Sequence, residues 1–284
     1  MIRSVNGNWN SIEEAFEISK MNYSVEQAEI MNSTNLNIIP DKKVLYRGDN
    51  GLTLGVVGSN YGLLQNSEAF AFFDIILKTQ NASITKIIEK DGGKKITLIS
   101  EVKDIGFDAR PGDSVGLQYR LQNSFDGTGS AQVSFYALRL VCKNGLTRSD
   151  ETSKVSIRHS KNIHSRMEEA LKIIAKGEEW IEYFKEISQH LTQKIVDKQM
   201  VENFLNNLFG EKSEKKKEIV IEKFEKGMGN GQGTAWDLYN GVTEFIDHSS
   251  RYTEGIFDEI KTLEYSLYGQ GSDIKEKALE LLLK

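Results

Sequence analysis

The side chains with the clearest capacity for chemistry are the cations of residues 139–166. This segment has seven lysines and arginines against Asp150 and Glu151, an excess of +5 in a chain whose net charge is −5. Phosphate binding combines cations with hydroxyl and amide donors, and Ser, Thr and Asn residues lie between these cations. The alternative is a solvated loop and helix start. The predicted nucleic-acid-binding residues are Arg120, Arg139, Lys143, Asn144, Arg148, Lys154, Arg158, His159, Lys161 and Arg166.

A second candidate is an acidic stripe near residue 240. Its members recur at intervals of three and four, which places them on one face of a helix. Carboxylates with an imidazole can hold a divalent metal, so a metal-dependent nuclease or hydrolase is one hypothesis. The alternative, which we favour, is the polar outer face of a helix that buries Trp236. The stripe consists of Asp237, Asn240, Glu244, Asp247 and His248, and all but Asn240 are the weak metal candidates.

Other motifs predict no cofactor. The glycine-rich segment Gly227–Gly233 lacks the Gly-Lys-Ser/Thr ending of a phosphate-binding P-loop, so a flexible connector is the expectation. Cys142 is the single cysteine and follows Leu140 and Val141, which predicts a buried thiol. Four histidines and one cysteine do not suggest a zinc cluster. We therefore expect neither a resident metal nor intrinsic catalysis.

A predicted β-hairpin positions the basic segment. Residues 117–122 alternate between apolar and polar, as a strand with one buried face does. Asp126-Gly127 supplies a turn that tolerates positive φ. Residues 133–141 carry apolar side chains on both faces, which predicts a central strand covered on both sides. Arg139 and Lys143 should then emerge at the rim of the sheet, where ligands often bind.

The remaining pattern predicts strands first and helices second. Hairpins are expected at residues 43–57 and 84–102, and a core helix is expected to start at Asn66 or Ser67. A capping box, Ser11 with Glu14, starts an earlier helix. After residue 161 the apolar period is helical, with an interruption at Gly177 and later helices through Ile256, Ile260, Leu263 and Leu267 and through Ile274, Ala278, Leu281 and Leu282.

The predicted fold class is therefore α+β: a mainly antiparallel sheet with a packed helix, followed by a helical C-terminal half. Residues 1–42 form an N-terminal helix and irregular arm, residues 43–160 the sheet domain, and residues 161–284 a helical region packing on the sheet. The chain has 39% apolar residues and no long apolar run. We expect a soluble protein of the bacterial cytoplasm, without a membrane span.

Several stretches, in this order, resemble one protein family. They are Leu54–Val57 with Tyr61, Gln65–Phe70, Asn123–Gly127, Arg139–Asn144, Ile157–Ser160, and Gly233–Asn240 running to Asp247-His248. This pattern is similar to the phage- and plasmid-encoded domain of unknown function numbered nine hundred and thirty-two. The resemblance implies a mobile-element protein and no known reaction. Similar proteins often have His where this chain has Phe125, so a metal or acid–base role of that turn is not expected here.

Two functions follow as expectations. The first is a non-enzymatic nucleic-acid-binding protein, for single-strand binding or annealing in replication or recombination, acting as a homo-oligomer with a shared groove. The acidic total charge counts against it. The alternative is a protein-interaction factor of a mobile element that inhibits a host defence or replication protein.

Overall fold

The computed structural model describes residues 2–71, 73–146, 154–160, 163–249, 252–253, 256–257, 262, 265–266 and 269–284. The fold is α+β, as predicted, with strands prevailing in the first half and helices in the second. The chain divides into two compact units, each assembled from separate stretches. Unit one comprises Met1–Asp104, Gln118–Phe135 and Glu151–Gly177, and unit two comprises Ile105–Leu117, Tyr136–Asp150 and Glu178–Lys284.

The largest sheet contains the predicted central hairpin. In sheet order its strands are β1 (Ile2–Trp9), β5 (Ala82–Lys90), β6 (Lys95–Arg110), β7 (Asp113–Ser124), β8 (Ala131–Arg139) and β10 (Lys154–Ile157), and β9 (Asn144–Leu146) also pairs with β8. β7 and β8 are neighbours, which confirms the hairpin. The antiparallel β5–β6 pair confirms the hairpin predicted at residues 84–102.

Burial along the central strands follows the sequence pattern. Side chains of β7 alternate between buried and partly exposed from Asp113 to Gln122. In β8 nearly every side chain is buried, including Arg139 at its end. The prediction that the return strand is covered on both faces is confirmed.

Unit one also contains a three-stranded antiparallel sheet of β2 (Val25–Met31), β3 (Ile38–Arg47) and β4 (Thr53–Gly58). The β3–β4 hairpin agrees with the prediction, whereas β1 and β2 are not predicted from the sequence. In both strands most side chains are exposed or half-buried, and the apolar residues do not alternate with polar ones, so period two is not apparent.

The helices of unit one pack as expected. In α1 (Ile12–Ser19), the Ser11 hydroxyl accepts from the Glu14 N–H at 3.1 Å, while the Glu14 carboxylate accepts from the Asn10 N–H instead of closing the capping box. In α2 (Asn66–Ala71) and α3 (Phe73–Thr79), the aromatic side chains Phe70 and Phe73 are buried. This confirms the predicted core helix.

The helical half begins with α4 (Ile163–Gln193). It runs through Gly177 without the predicted interruption, because a single glycine costs a long helix only about 1 kcal/mol. In unit two it is followed by α5 (Lys198–Phe209), α6 (Glu214–Lys226), α7 (Ala235–Glu244), a π-helical turn at Phe245–Ser249, and α8 (Gln270–Leu283).

One predicted helix is corrected. Ile256 lies in β12 (Ile256–Phe257), which pairs with β11 (Tyr252–Thr253), and not in a helix. Ile260, Leu263 and Leu267 lie outside the described residues. The predicted helix through Ala278 is confirmed as α8.

Candidate nucleic-acid interface

The predicted nucleic-acid-binding residues fall into distinct environments. Lys143 and Arg158 are exposed, with no partner among the described residues. Arg139 and His159 are buried, and Arg120 lies on the partly exposed face of β7. For Asn144, Lys154 and Arg166 the structure gives the position in a strand or helix only. Arg148 and Lys161 lie outside the described residues.

In unit one, His159 lies against Tyr61. The two rings stack with centroids 4.7 Å apart and an interplanar angle of 9°. The imidazole Nδ1 is 3.1 Å from the carbonyl oxygen of Gly62. A carbonyl only accepts, so Nδ1 carries the proton, and Nε2 of the neutral ring is left as an acceptor. Nε2 is buried without a hydrogen-bond partner among the described residues.

His159 therefore adds no positive charge to the seven lysines and arginines of this segment. Burial lowers the pKa of its imidazole, and this outweighs the hydrogen bond to Gly62 and the charge of Asp126, which both raise it. The ring is neutral at pH 7. The buried imidazole lies behind the half-buried Tyr61 ring, and the adjacent Arg158 is exposed.

The Asp126 turn completes this site. The Tyr61 hydroxyl donates to the carbonyl of Ser124 at 2.7 Å. The Asp126 carboxylate accepts from Ser124 Oγ at 2.8 Å and from the amide and hydroxyl of Thr128 at 2.8 and 2.7 Å. Burial opposes the charge of Asp126, but these hydrogen bonds prevail and hold the pKa of the carboxyl below its usual value. Lys95 Nζ lies 3.8 Å from Asp126 Oδ2.

Gly55 of β4 allows the turn at Asp126 to approach the strand closely. A Cβ atom on Gly55 would lie 2.7 Å from the Cα of Asp126 and 2.8 Å from the carbonyl oxygen of Phe125. Any other residue would push the turn away from β4. Phe125 itself is fully buried, so at this position the turn carries a core side chain.

The site in unit one joins the half-buried Tyr61 ring to the Asp126 turn and to the segment that carries His159. The Tyr61 hydroxyl binds the Ser124 carbonyl, Lys95 lies near Asp126, and the exposed Arg158 precedes His159 in the chain. The three elements of the site are Tyr61, Asn123–Gly127 and Ile157–Ser160, all of which belong to the pattern of the family resemblance. The structure brings them together in one place, which linear spacing does not indicate.

In unit two, Arg139 is the centre of a buried ion-pair network. Its Nε and Nη2 each donate to Asp113 at 2.6 Å. Its other N–H groups donate to the carbonyls of Met228 and Gly229 and to the side-chain oxygen of Asn230, at 2.9–3.1 Å. All five donors of the guanidinium are used. The prediction that Arg139 lies at an exposed rim is wrong, because Asp113 lies on the buried face of β7.

A second arginine extends the network. Arg110 pairs with Asp237 at 2.6 Å and lies 3.4 Å from Asp113, and it also donates to the carbonyl of Gly229. Trp236 is fully buried, as predicted, and its indole N–H donates to Asp113 at 2.9 Å. Two guanidiniums face two carboxylates, so the network is neutral in total.

The glycine-rich segment Gly227–Gly233 has a defined loop conformation, whereas the sequence predicted a flexible connector. Its carbonyl oxygens bind both guanidiniums. Gly229 has φ +73°, and a Cβ atom there would lie 2.9 Å from Arg139 Nη2, so the close approach requires glycine. Gly231 and Gly233 also have positive φ, 111° and 72°. The alternating glycines therefore serve a specific loop conformation.

The acidic stripe is not a polar outer face. All ten residues of α7 are buried, because α6, α8 and β9 surround it. Each acidic group has a structural partner: Asp237 caps α7 and pairs with Arg110, Glu244 binds Lys223 at 3.2 Å, and Asp247 binds Lys275 at 2.6 Å. His248 Nε2 donates to the carbonyl of Cys142 at 2.9 Å. Among the described residues, no three His, Cys, Asp or Glu side chains are arranged to hold a metal.

Sequence reasoning overlooks Arg110 and Asp113, although a signal exists. Asp113 precedes Val115, Leu117 and Tyr119 in period two, which places its carboxylate on the buried face of β7. A charged group on a buried face needs a buried partner, and Arg139 occupies the corresponding face of the next strand. The alternation in β7 and in β8 together therefore predicts that Asp113 pairs with Arg139.

Fold and sites together define an α+β protein with a polar site around a stacked Tyr–His pair and a neutral buried ion-pair network. The family model "Domain of unknown function (DUF932)" matches residues 53–267, well over half of the chain, and the chain belongs to this family. No curated protein and no solved structure matches the sequence. No helix in the described part of the chain has the length and apolarity needed to cross a membrane.

Proposed function

We propose that this chain is a non-enzymatic protein that binds single-stranded nucleic acid in the bacterial cytoplasm, in the replication or recombination of a mobile element. The observation that carries the proposal is the exposed Arg158, without a partner among the described residues, next to the stacked Tyr61–His159 pair. Single-strand binders combine cations for the backbone with flat rings for the bases. The proposed cytoplasmic location follows from this function.

The surrounding groups support the same ligand class. Lys95, whose ammonium lies 3.8 Å from Asp126 and has further N–H donors, is a cation of the kind that contacts phosphate. With Arg139 buried, the predicted surface has one cation fewer, so we expect modest affinity and a shallow salt dependence.

The test is a fluorescence-anisotropy titration of a labelled single strand at several salt concentrations. Each phosphate that the protein neutralises adds roughly 0.7 to the magnitude of the log–log slope. Arg158→Ala should lower that magnitude by about this amount for all base sequences alike. Lys212→Ala, an exposed lysine in unit two, is the matched control and should leave the slope unchanged. Absence of binding at low salt, or equal slopes for both variants, would refute the proposal.

A second candidate, a protein-interaction factor that inhibits a host defence or replication protein, is favoured by the β2–β3 hairpin. Met31, Leu36 and Ile38 at its end are each more than half exposed. β2 is an edge strand, and a partner's extended segment can extend the sheet there. Met31→Ser with Ile38→Ser should abolish partner binding in an in vitro inhibition assay, while oligonucleotide binding persists.

A further inference from the structure

The outer part of the β2–β3 hairpin in unit one is a two-stranded ribbon. β4 pairs with β3 only from Lys42 to Tyr46, so among the described residues no third strand continues the sheet along the segment before Lys42. Residues 31–42 are all exposed. Met31 and Ile38 lie opposite each other in the ribbon and are 54% and 53% exposed. A two-stranded ribbon by itself is only marginally stable in water, so these apolar side chains favour a state in which a further strand covers them.

The outer edge of β2 is closed at one end and open at the other. Within the part of the chain that the structure describes, β2 pairs with β3 alone. At Val25 the Gln65 side chain takes the place of a neighbouring strand, because its amide nitrogen donates to the Val25 carbonyl at 2.8 Å and its oxygen accepts from the Val25 N–H at 2.9 Å. Backbone groups alternate in direction along a strand, so those of Gln27, Glu29 and Met31 point to the same edge as those of Val25.

The sequence of β2 does not protect this edge. Natural edge strands are commonly protected from pairing by lysine or proline. β2 contains neither residue. Its first glutamate, Glu26, accepts from the Tyr46 hydroxyl of β3 at 2.9 Å, so this carboxylate binds within its own sheet. The open end of β2 is therefore suited to pair with another strand.

We propose that two copies of this chain pair through their β2 edges. The two strands run antiparallel about a two-fold axis at Ile30, so that Glu29 of each copy lies opposite Met31 of the other. These two pairs exchange four backbone hydrogen bonds, and the two Ile30 side chains face each other at the axis. The exposed Met31 side chains of the two copies become diagonal neighbours on one face of the joined sheet.

Other registers of β2 against itself are less favourable. An axis at Ala28 would bring the second copy onto Val25, whose backbone groups Gln65 already binds. An axis at Glu29 would place two like charges directly opposite each other, which is destabilising. An axis at Met31 would keep only two hydrogen bonds between strand residues, because β2 ends there.

The pairing covers groups that a single chain leaves exposed. It joins two ribbons into a four-stranded sheet, and a second copy presents the same open backbone groups at the same spacing. The resulting contact is isologous and closes at two chains. The proposal does not rest on the nucleic-acid function, and it excludes simultaneous use of the same edge by a host protein, the second candidate above.

The first measurement is disulfide cross-linking of the full-length protein with one introduced cysteine. Residues that face each other without hydrogen bonds have Cα atoms about 4.5 Å apart, which a disulfide can span. Ile30→Cys should therefore form a covalent dimer on a non-reducing gel when oxidised glutathione accepts the hydrogens of the two thiols. The Cys142 thiol is buried, so the unchanged chain should not cross-link. Val56→Cys, at an exposed aliphatic position of β4, is the matched control and should cross-link much more slowly.

The second measurement is the mass in solution by light scattering at increasing protein concentration. The unchanged protein should reach the mass of two chains. Ile30→Lys sets two ammonium groups opposite each other at the axis, and we expect it to raise the Kd of the dimer about tenfold or more. Val56→Lys is the matched control and should leave the Kd unchanged. Thermal melts followed by circular dichroism check that both variants fold, and cross-linking of Ile30→Cys decides the question if Ile30→Lys does not.

Three results would overturn the proposal. The first is the mass of a single chain at every concentration, which would leave the edge of β2 to a host segment. The second is a dimer that folded Ile30→Lys does not weaken, which would place the interface elsewhere. The third is cross-linking of Ile30→Cys that is no faster than that of Val56→Cys.

Discussion

The buried Arg139–Asp113 pair provides the sharpest test of the structure. Arg139→Met removes a cation whose side chain has no exposed surface and leaves Asp113, 5% exposed, with fewer donors. Three oxygens of the glycine-rich loop are also deprived of a donor. Breaking a buried pair by removing one partner costs about 3–5 kcal/mol, and we expect a decrease of the unfolding free energy in this range.

The double variant Arg139→Met/Asp113→Leu separates charge from packing. Removing both charges avoids an uncompensated carboxylate, so the double variant should be more stable than Arg139→Met alone. Recovery should be partial, because the Met228 carbonyl, the Asn230 side-chain oxygen and the Trp236 N–H lose their partners, each at about 1–3 kcal/mol, whereas the Gly229 carbonyl keeps Arg110. We expect a coupling energy of about 2 kcal/mol, within the range found for contacting residues.

The assay is urea unfolding followed by far-ultraviolet circular dichroism, with an unchanged slope m as the sign of a comparable transition. Arg158→Met, which truncates an exposed arginine, is the matched control and should change stability by no more than about 0.5 kcal/mol. A cost below about 1 kcal/mol for Arg139→Met, or additive effects of the two changes, would contradict a buried pair.

Three further predictions concern single residues. Trp236→Phe should lower the unfolding free energy by about 1.5–3 kcal/mol in urea melts, because it removes the hydrogen bond from the indole N–H to the Asp113 carboxylate. Trp236→Ala should lower it by about 3–5 kcal/mol, because it also leaves a cavity. Equal losses for the two variants would argue against the indole hydrogen bond. Gly229 and Gly233 both have positive φ, so replacing either with Ala should cost roughly 1–2 kcal/mol through backbone strain. Gly229→Ala should cost more than Gly233→Ala, because only a Cβ atom at position 229 would crowd Arg139. Thermal melts of the two variants test this order. The pKa of His159 in the folded protein lies below 6.5, so the unfolded chain binds the proton more readily. The free energy of unfolding should therefore fall as the pH drops below about 6.5. In thermal melts between about pH 7 and 5, the stability of His159→Gln should depend less on pH than that of the unchanged protein.

The sequence alone determined the local elements and the fold class. Strand alternation in β7, apolar residues on both faces of β8 and the Asp126-Gly127 turn depend on neighbours in the chain, so the central hairpin followed from periodicity. The burial of Trp236 followed in the same way from helical spacing. β1 escapes such reasoning because its partner β5 lies far along the chain. β2 pairs with the neighbouring β3, but its apolar residues do not alternate with polar ones, so period two is not apparent.

The tertiary structure decided what the polar residues do. Arg139 is a cation in the sequence, but the pairing of β7 with β8 and the approach of the glycine-rich loop consume all of its donors. His159 is neutral because of burial, and Tyr61, nearly a hundred residues earlier in the chain, becomes its stacking partner. Charge and exposure depend on long-range packing, which local periodicity does not encode. The same sequence pattern can therefore form a binding surface or an ion pair inside the protein.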